Sequence, residues 1–369
     1  MFKEFSDPIH ELIKADDCEI RIIDSYPLQR LRFISQLGIA YLVFPSAQHS
    51  RFEHSLGTME LAGRIYNSLG LKDEKLYRIV RLAGLLHDIG HTPFSHTTEV
   101  LLGDKSHESI GERVLFEEGI ADILKNCGYS LEDIELIVEL AFRKGSSLPK
   151  IITGEFGADR MDYLRRDAYF CGTSYGFFDY RRLLENMLFI EGKKCVHISA
   201  LRALESFILG RYFMYSQVYF HKVVRILNIH LEDVVQDFVE RGLLKPEELY
   251  RKTDQHILHF MLDRHMEEKV RRVLGREHFR QVFSTSSKEL FEVVKERLLE
   301  KYEDDLLRFD RASKRVLDED IPIWDGHELL SLREVSPIVA SLEDIRLYRI
   351  YAHPRYKEEV REYVRKISK

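Results

Sequence analysis

The stretch Gly84-Leu85-Leu86-His87-Asp88-Ile89-Gly90-His91-Thr92-Pro93-Phe94-Ser95-His96 decides how the chain is read. An apolar run from Val80 to Leu86 carries helical periodicity into the adjacent pair His87-Asp88, and Gly90 and Pro93 end the helix. A His-Asp pair at the end of an apolar helix is costly to bury. An unpaired neutral polar group in a core costs roughly 2–7 kcal/mol, and an ionised one more. A capping Asp beside a satisfied core histidine would explain an isolated pair. Here, however, His49, His54, His87, His91, His96 and His107 crowd one segment, six of the 16 histidines in the chain. A divalent metal satisfies imidazole and carboxylate together, and the histidine density favours that reading.

Working outward, 369 residues suffice for a large core in two domains or one elaborated domain. With 31% charged and 44% hydrophobic residues the composition is that of a soluble globular protein. A net charge of −6 excludes an overall basic footprint for nucleic acid or an anionic membrane, but not local basic clusters. No apolar stretch approaches the ~20 residues that cross a bilayer. Met1 to Asp7 carries no apolar signal region, so the sequence predicts a cytoplasmic protein. Cys18, Cys127, Cys171 and Cys195 form no Cys-x-x-Cys spacing, which argues against structural zinc or a disulfide framework.

Residues 1–23 read as a short hairpin or arm that includes the β-branched run Ile20 to Ile23. Leu28, Leu31, Ile34 and Leu37 predict a helix from Pro27 to Gly38, flanked by Arg30 and Arg32. A helix from Arg51 places His54, Gly57, Leu61 and Ile65 on one face, and Gly57, Ala62 and Gly63 keep it thin. A second helix, Leu76 to Ile89, follows a short polar turn, so that antiparallel packing brings His54 near His87. Helices are expected at 107–117 and 131–143, with a loop at 145–149. Asp159, Asp162, Tyr163 and Asp167 then share a face, while Ala158, Met161, Leu164 and Ala168 argue for burial. Residues 200–240 read as one long helix on which Arg211, Tyr215, Tyr219 and Lys222 fall within about 80°. Cations alternating with rings suit phosphates and a stacked base or sugar. Beyond 240 come charged helices (246–304), strands at Ile321–Trp324 and Arg346–His353, and an amphipathic helix from Lys357. Gly103-Asp104-Lys105-Ser106 lacks the first glycine and the spacing of a P-loop. The expected fold is mainly α: a helical domain over 1–240 with an N-terminal hairpin, then a smaller α+β region over 241–369.

His54, His87-Asp88 and Asp159 resemble the His…His-Asp…Asp signature of the HD-domain metal-dependent phosphohydrolases. Asp7-Pro-Ile-His, Gln29-Arg-Leu-Arg, Gln36-Leu-Gly, Arg51-Phe-Glu-His-Ser-Leu-Gly, the 87–96 stretch and Tyr219-Phe-His-Lys look like the deoxynucleoside triphosphate triphosphohydrolase branch. The resemblance spans residues ~1–230. It implies an HD-domain helical core in which His54, His87, Asp88 and Asp159 hold one divalent transition metal (Fe, Mn, Zn, Co or Ni), with Mg accompanying the nucleotide. It implies attack at the α-phosphorus, with His96 as general acid oriented by Glu99. Glu99 replaces the Asp of the family's mammalian member. His91 and His107 would contact phosphate, and Arg51, Arg160, Arg211 and Lys222 would neutralise its charge. Gln36, Leu37 and Tyr219 match positions against deoxyribose, and Tyr163 and Asp167 match groups that hold the sugar and its 3′-hydroxyl. Phe220 stands where the mammalian member has glutamine.

The resemblance also implies a guanine-nucleotide effector at a subunit interface, read by Lys3, Asp24, Gln29 and Arg32, and hence a homo-oligomer. Arg182 matches one residue of an adjoining second nucleotide site, whose other contacts are replaced by His197, Ser199 and Ala203. Two other readings compete: an HD phosphatase acting on another nucleotide, and a nucleotide-binding regulator without turnover. His96 and His107 speak against the regulator, because a purely structural metal needs no histidines outside its ligand set.

Overall fold

The computed structural model describes residues 2–103, 106–143 and 150–368, apart from the side chain of His96. The loop reading at 145–149 and the Asp104-Lys105 pair lie outside the described residues. The chain opens with an antiparallel hairpin, β1 (Lys3–Asp7) and β2 (Glu11–Ala15), as expected of the N-terminal arm. The run Ile20 to Ile23 belongs instead to α1 (Asp17–Ile23). Asp16 caps its first turn and Glu19 returns a bond to the Asp16 backbone, and this capping box overrides the β-branched propensity. The helix expected from Pro27 to Gly38 is only α2 (Tyr26–Arg30) and a 3-10 turn at Leu31–Phe33.

Two helices then carry the centre of the molecule, α3 (Arg51–Ser68) and α4 (Glu74–Leu86). Their approach depends on small residues. A Cβ on Gly84 would lie 3.1 Å from the Thr58 carbonyl and 3.2 Å from the Ala62 Cβ. The chain continues through α5 (His96–Glu99), α6 (His107–Glu117), α7 (Ile120–Asn126), α8 (Leu131–Phe142), α9 (Ala158–Cys171), α10 (Tyr180–Glu185), β3 (Met187–Ile190), β4 (Lys193–His197) and α11 (Leu201–Met214). The long helix expected over 200–240 is broken after Met214 by a π turn, Tyr215–Tyr219, and α12 (Lys222–Glu240) starts anew behind the N-cap His221. Arg211 and Lys222 therefore lie on different helices, not on one arc.

Then follow α13 (Asp254–Asp263), α14 (Glu268–Val273), β5 (Arg280–Thr285), α15 (Lys288–Leu299), β6 (Leu307–Lys314), β7 (Pro322–Trp324), β8 (Leu329–Ser331), α16 (Leu332–Val335), α17 (Pro337–Ser341), β9 (Ile345–Ala352) and α18 (Lys357–Ile367). Strand β5 interrupts a stretch read from sequence as helices.

The chain forms two compact units interleaved along the sequence, whereas the sequence reading places a single boundary after residue 240. The first comprises residues 1–214, 246–255 and 317–342; the second comprises 215–245, 256–316 and 343–369. The returns to the first unit have physical causes. The Asp254 carboxylate accepts from the backbone N–H groups of Ser35 (2.8 Å) and Phe94 (2.7 Å), and β7 adds in parallel to β4 in the sheet β3-β4-β7-β8. In the second unit the antiparallel sheet β5-β9-β6 buries Leu307 and Ile350 with Phe291, Val294, Leu298, Val360 and Val364. No helix among the described residues is long and apolar enough to cross a membrane.

Contrary to the expectation from cysteine spacing, Cys18 and Cys127 form a disulfide, with Cα atoms 5.9 Å apart. Local spacing is blind to this pair, 109 residues apart in sequence. It joins the first turn of α1 to the C-cap of α7.

Candidate metal centre

His54 lies one turn into α3, and His87-Asp88 directly follow α4, so the packing of these two helices brings the imidazoles together. Asp159 comes from the first turn of α9. The Nδ1 of His54 faces the carboxylate of Asp162 at 2.7 Å, and the Nδ1 of His87 faces the carbonyl of Gly84 at 2.8 Å. Both partners only accept, so both Nδ1 atoms donate, and in the neutral imidazoles both Nε2 atoms present lone pairs. Those Nε2 atoms lie 3.2 Å apart. Asp159 Oδ1 is 3.2 Å from His54 Nε2 and 3.9 Å from His87 Nε2; Asp88 Oδ1 is 3.3 Å from His87 Nε2.

Burial depresses the His54 imidazole, but its bonds to Asp159 and Asp162 outweigh burial and push it up to about 10. The cluster thus demands positive charge. One proton answers one lone pair, whereas a divalent cation answers both imidazoles and both carboxylates. The donor types and the convergence of His54, His87 and the half-buried Asp159, with buried Asp88 beside His87, fit a metal of the borderline class.

Behind the candidate ligands lies a buried network that sequence reasoning did not assign. Asp162 accepts from His54, from His10 Nε2 (2.7 Å) and from Arg166 Nε and Nη2 (2.9 and 2.8 Å). Arg166 Nη1 reaches Asp7, whose other oxygen accepts from the backbone N–H groups of Ile9 and His10. This is the physical content of the Asp7-Pro-Ile-His motif: Asp7, through Arg166, and His10 hold the carboxylate that faces Nδ1 of the candidate ligand His54. A Cβ on Gly57 would lie 1.9 Å from Asp162 Oδ1, so only glycine leaves room for the network beneath α3. Arg30, also missed, is buried and donates to the carbonyls of Ile89 and His91 at 3.0 and 2.7 Å, pinning the turn after Asp88. Burial pushes its guanidinium down to about 10.

On the other side of Asp88, Arg51 Nη1 donates to Oδ2 at 2.6 Å and its Nε donates to Ser95 Oγ at 2.7 Å. His91 Nε2 lies 3.3 Å from Asp88 Oδ1 and its Nδ1 3.4 Å from Glu99. His107 Nδ1 is 3.1 Å from Glu99, and the His91 and His107 rings stack at 4.1 Å. Burial, then the neighbouring Arg51, pushes His91 down to about 4, so it is neutral near pH 7. Burial also depresses His107, but the bond to Glu99 and the surrounding acids raise it. The His96 side chain lies outside the described residues.

Of the positions matched to the sugar, Asp167 Oδ1 bonds His49 Nε2 at 2.8 Å, and the His49 carbonyl accepts from Gln36 N at 3.0 Å. The buried Gln36 Oε1 has no hydrogen-bond partner among the described residues. Leu37 is half-buried beside it, and Tyr163 is half-buried on α9. Arg160 and Arg211, matched to phosphate, share the acids Glu155 and Asp318. Tyr219 and Lys222 belong to the second unit, where Tyr219 meets Tyr215 edge to face at 4.8 Å and the Lys222 carbonyl accepts from Tyr351 at 3.0 Å.

The four effector positions gather on one exposed patch. Lys3 pairs with Asp24 at 3.0 Å, Gln29 donates to the Ile23 carbonyl, and Arg32 donates to Gln29 at 2.8 Å while stacking on Phe52. Arg182 donates to the Ser199 carbonyl.

Comparison with known proteins matches the HD domain to residues 51–167 and the HD associated region to 178–312. The uncharacterized protein MJ1154 of Methanocaldococcus jannaschii is 33% identical over 98% of this chain and 81% of its own length. The deoxynucleoside triphosphate triphosphohydrolase SAMHD1 of Gallus gallus is 32% identical over 64% of this chain, which spans 45% of that relative. The crystal structure of a hypothetical protein from Aquifex aeolicus is similar at a TM-score of 0.90 and 48% identity, covering 98% of this chain and 99% of that one. All four candidate ligands fall within the HD match, and the relative from Methanocaldococcus jannaschii extends the likeness over nearly the whole sequence: the chain belongs to the HD-domain phosphohydrolase superfamily.

Proposed function

We propose that this phosphohydrolase cleaves deoxynucleoside triphosphates at the α-phosphorus to deoxynucleoside and triphosphate. The observation that carries the reading is the pair of imidazole lone pairs, His54 and His87, converging with the carboxylates of Asp88 and Asp159. A divalent metal held by His54, His87, Asp88 and Asp159 would supply Lewis acidity toward a water nucleophile and the phosphoryl oxygen. The protein's own groups do the rest. Asp162 and the Gly84 carbonyl fix both histidine tautomers, and Arg51 orients Asp88. Neutral His91 and the His107–Glu99 pair offer hydrogen bonds to phosphate. His96, followed three residues later by Glu99, protonates the leaving 5′-oxygen. Gln36 and Asp167, linked through His49, hold the sugar.

The 32% identity to a triphosphohydrolase over 64% of the chain supports the substrate class. The patch of Lys3, Asp24, Gln29 and Arg32 takes a guanine nucleotide as effector, between subunits of a homo-oligomer. Turnover in oxygen-18 water tests the chemistry: label in the triphosphate supports attack at phosphorus, and label in the nucleoside overturns it.

A further inference from the structure

We infer that Asp318 is a built-in competitor for the anion that Arg160 and Arg211 bind, its carboxylate standing where a polyphosphate oxygen belongs. Each guanidinium divides its donors in the same way. Nη1 of Arg160 and of Arg211 goes to Glu155 Oε2, at 2.8 and 2.9 Å. Nη2 of each goes to Asp318 Oδ2, at 2.8 and 3.3 Å. The two acids differ in kind. The Glu155 side chain is 4% exposed, and its other oxygen accepts from the backbone N–H groups of Asp318 and Glu319, so it is a fixed part of the wall. The Asp318 side chain is 36% exposed and can swing outward while its peptide stays anchored on Glu155 and Glu319 stays paired with Lys150.

Two arginines converging on one carboxylate oxygen form the donor arrangement that a phosphate oxygen also accepts. The four groups sum to zero charge with Asp318 in place. Swinging it away leaves one net positive charge for the incoming anion. Arg160 directly follows the candidate ligand Asp159 on α9.

The inference rests on reading these arginines as phosphate ligands, but its test needs no turnover. Inorganic triphosphate is titrated calorimetrically into the full-length protein, wild type and Asp318→Asn, at equal metal content. Removing the competitor predicts binding about tenfold tighter. Asp318→Ser, which cannot hold both guanidiniums, should shift affinity in the same direction and guards against a folding artefact in either variant. Unchanged or weaker binding in both variants, or no binding to any of the three proteins, overturns the inference. With a nucleotide substrate KM should fall at constant kcat, whereas a purely structural Asp318 would lower kcat. Tighter triphosphate binding without nucleotide turnover would uphold this inference while the proposed function failed.

Discussion

Asp162 shows how a residue outside the ligand set controls it. Burial raises its carboxyl, but Arg166 beside it, with His10 and His54, holds it well below the usual carboxylate range. Asp162→Asn would leave a buried guanidinium short of an anion and an imidazole without its acceptor. We expect a loss of about 3–5 kcal/mol in urea unfolding and roughly 10–100-fold weaker metal binding in a competition titration. Sequence alone places Asp159, Asp162 and Asp167 on one face of α9. It does not say which acid faces the Nε2 of His54, which faces its Nδ1 and which meets His49, because those targets belong to α3 and its preceding loop. His54, His87 and Asp88 were legible because imidazoles and acids at the ends of apolar helices need a partner. Arg30 and His49 were not, because their partners are backbone carbonyls and a distant acid.

At the scale of elements, helix pairing stood out in the sequence wherever small residues and periodicity agreed, as in α3 and α4. Where local chemistry competed, periodicity misled: a capping box drew Ile20–Ile23 into α1, and a π turn cut the helix expected over 200–240. The glycines of α3 provide a graded test. Gly57→Ala drives a methyl into Asp162 and should cost about 2–3 kcal/mol, more if the network breaks. Gly63→Ala brings its methyl to 3.1 Å from the Arg81 stem and the Tyr77 ring, a crowding of a few tenths of an ångström rather than the overlap at Gly57, and should cost less, about 1 kcal/mol. Equal losses in chemical denaturation would refute this account of the close approach. The disulfide between α1 and α7 closes a separation of 109 residues. By chain entropy it contributes up to about 4–5 kcal/mol. Cys18→Ser should lower the melting temperature, and reductant should then have no further effect.

At the scale of the whole molecule, the interleaving of the units escaped the sequence because it rests on long-range bonds such as Asp254 to Ser35 and Phe94. The second unit carries its own pH signature. Burial, relieved in part by Arg225 and reinforced by Asp233 and Asp310, pushes Glu232 from 4.5 up to about 7. Its protonated form therefore belongs to the fold. The associated stability is complete below about pH 4.5 and is lost as pH rises through 7. Glu232→Gln should be neutral near pH 4.5 and stabilising by about 1–2 kcal/mol at pH 8 after solvent screening, read from urea midpoints at the two pH values. The central claim concerns which bond the metal centre breaks. Product analysis with dGTP and Mn, with and without GTP, tests it most directly. The account predicts deoxyguanosine and intact triphosphate, faster when GTP is present; orthophosphate or pyrophosphate as the first inorganic product would contradict it.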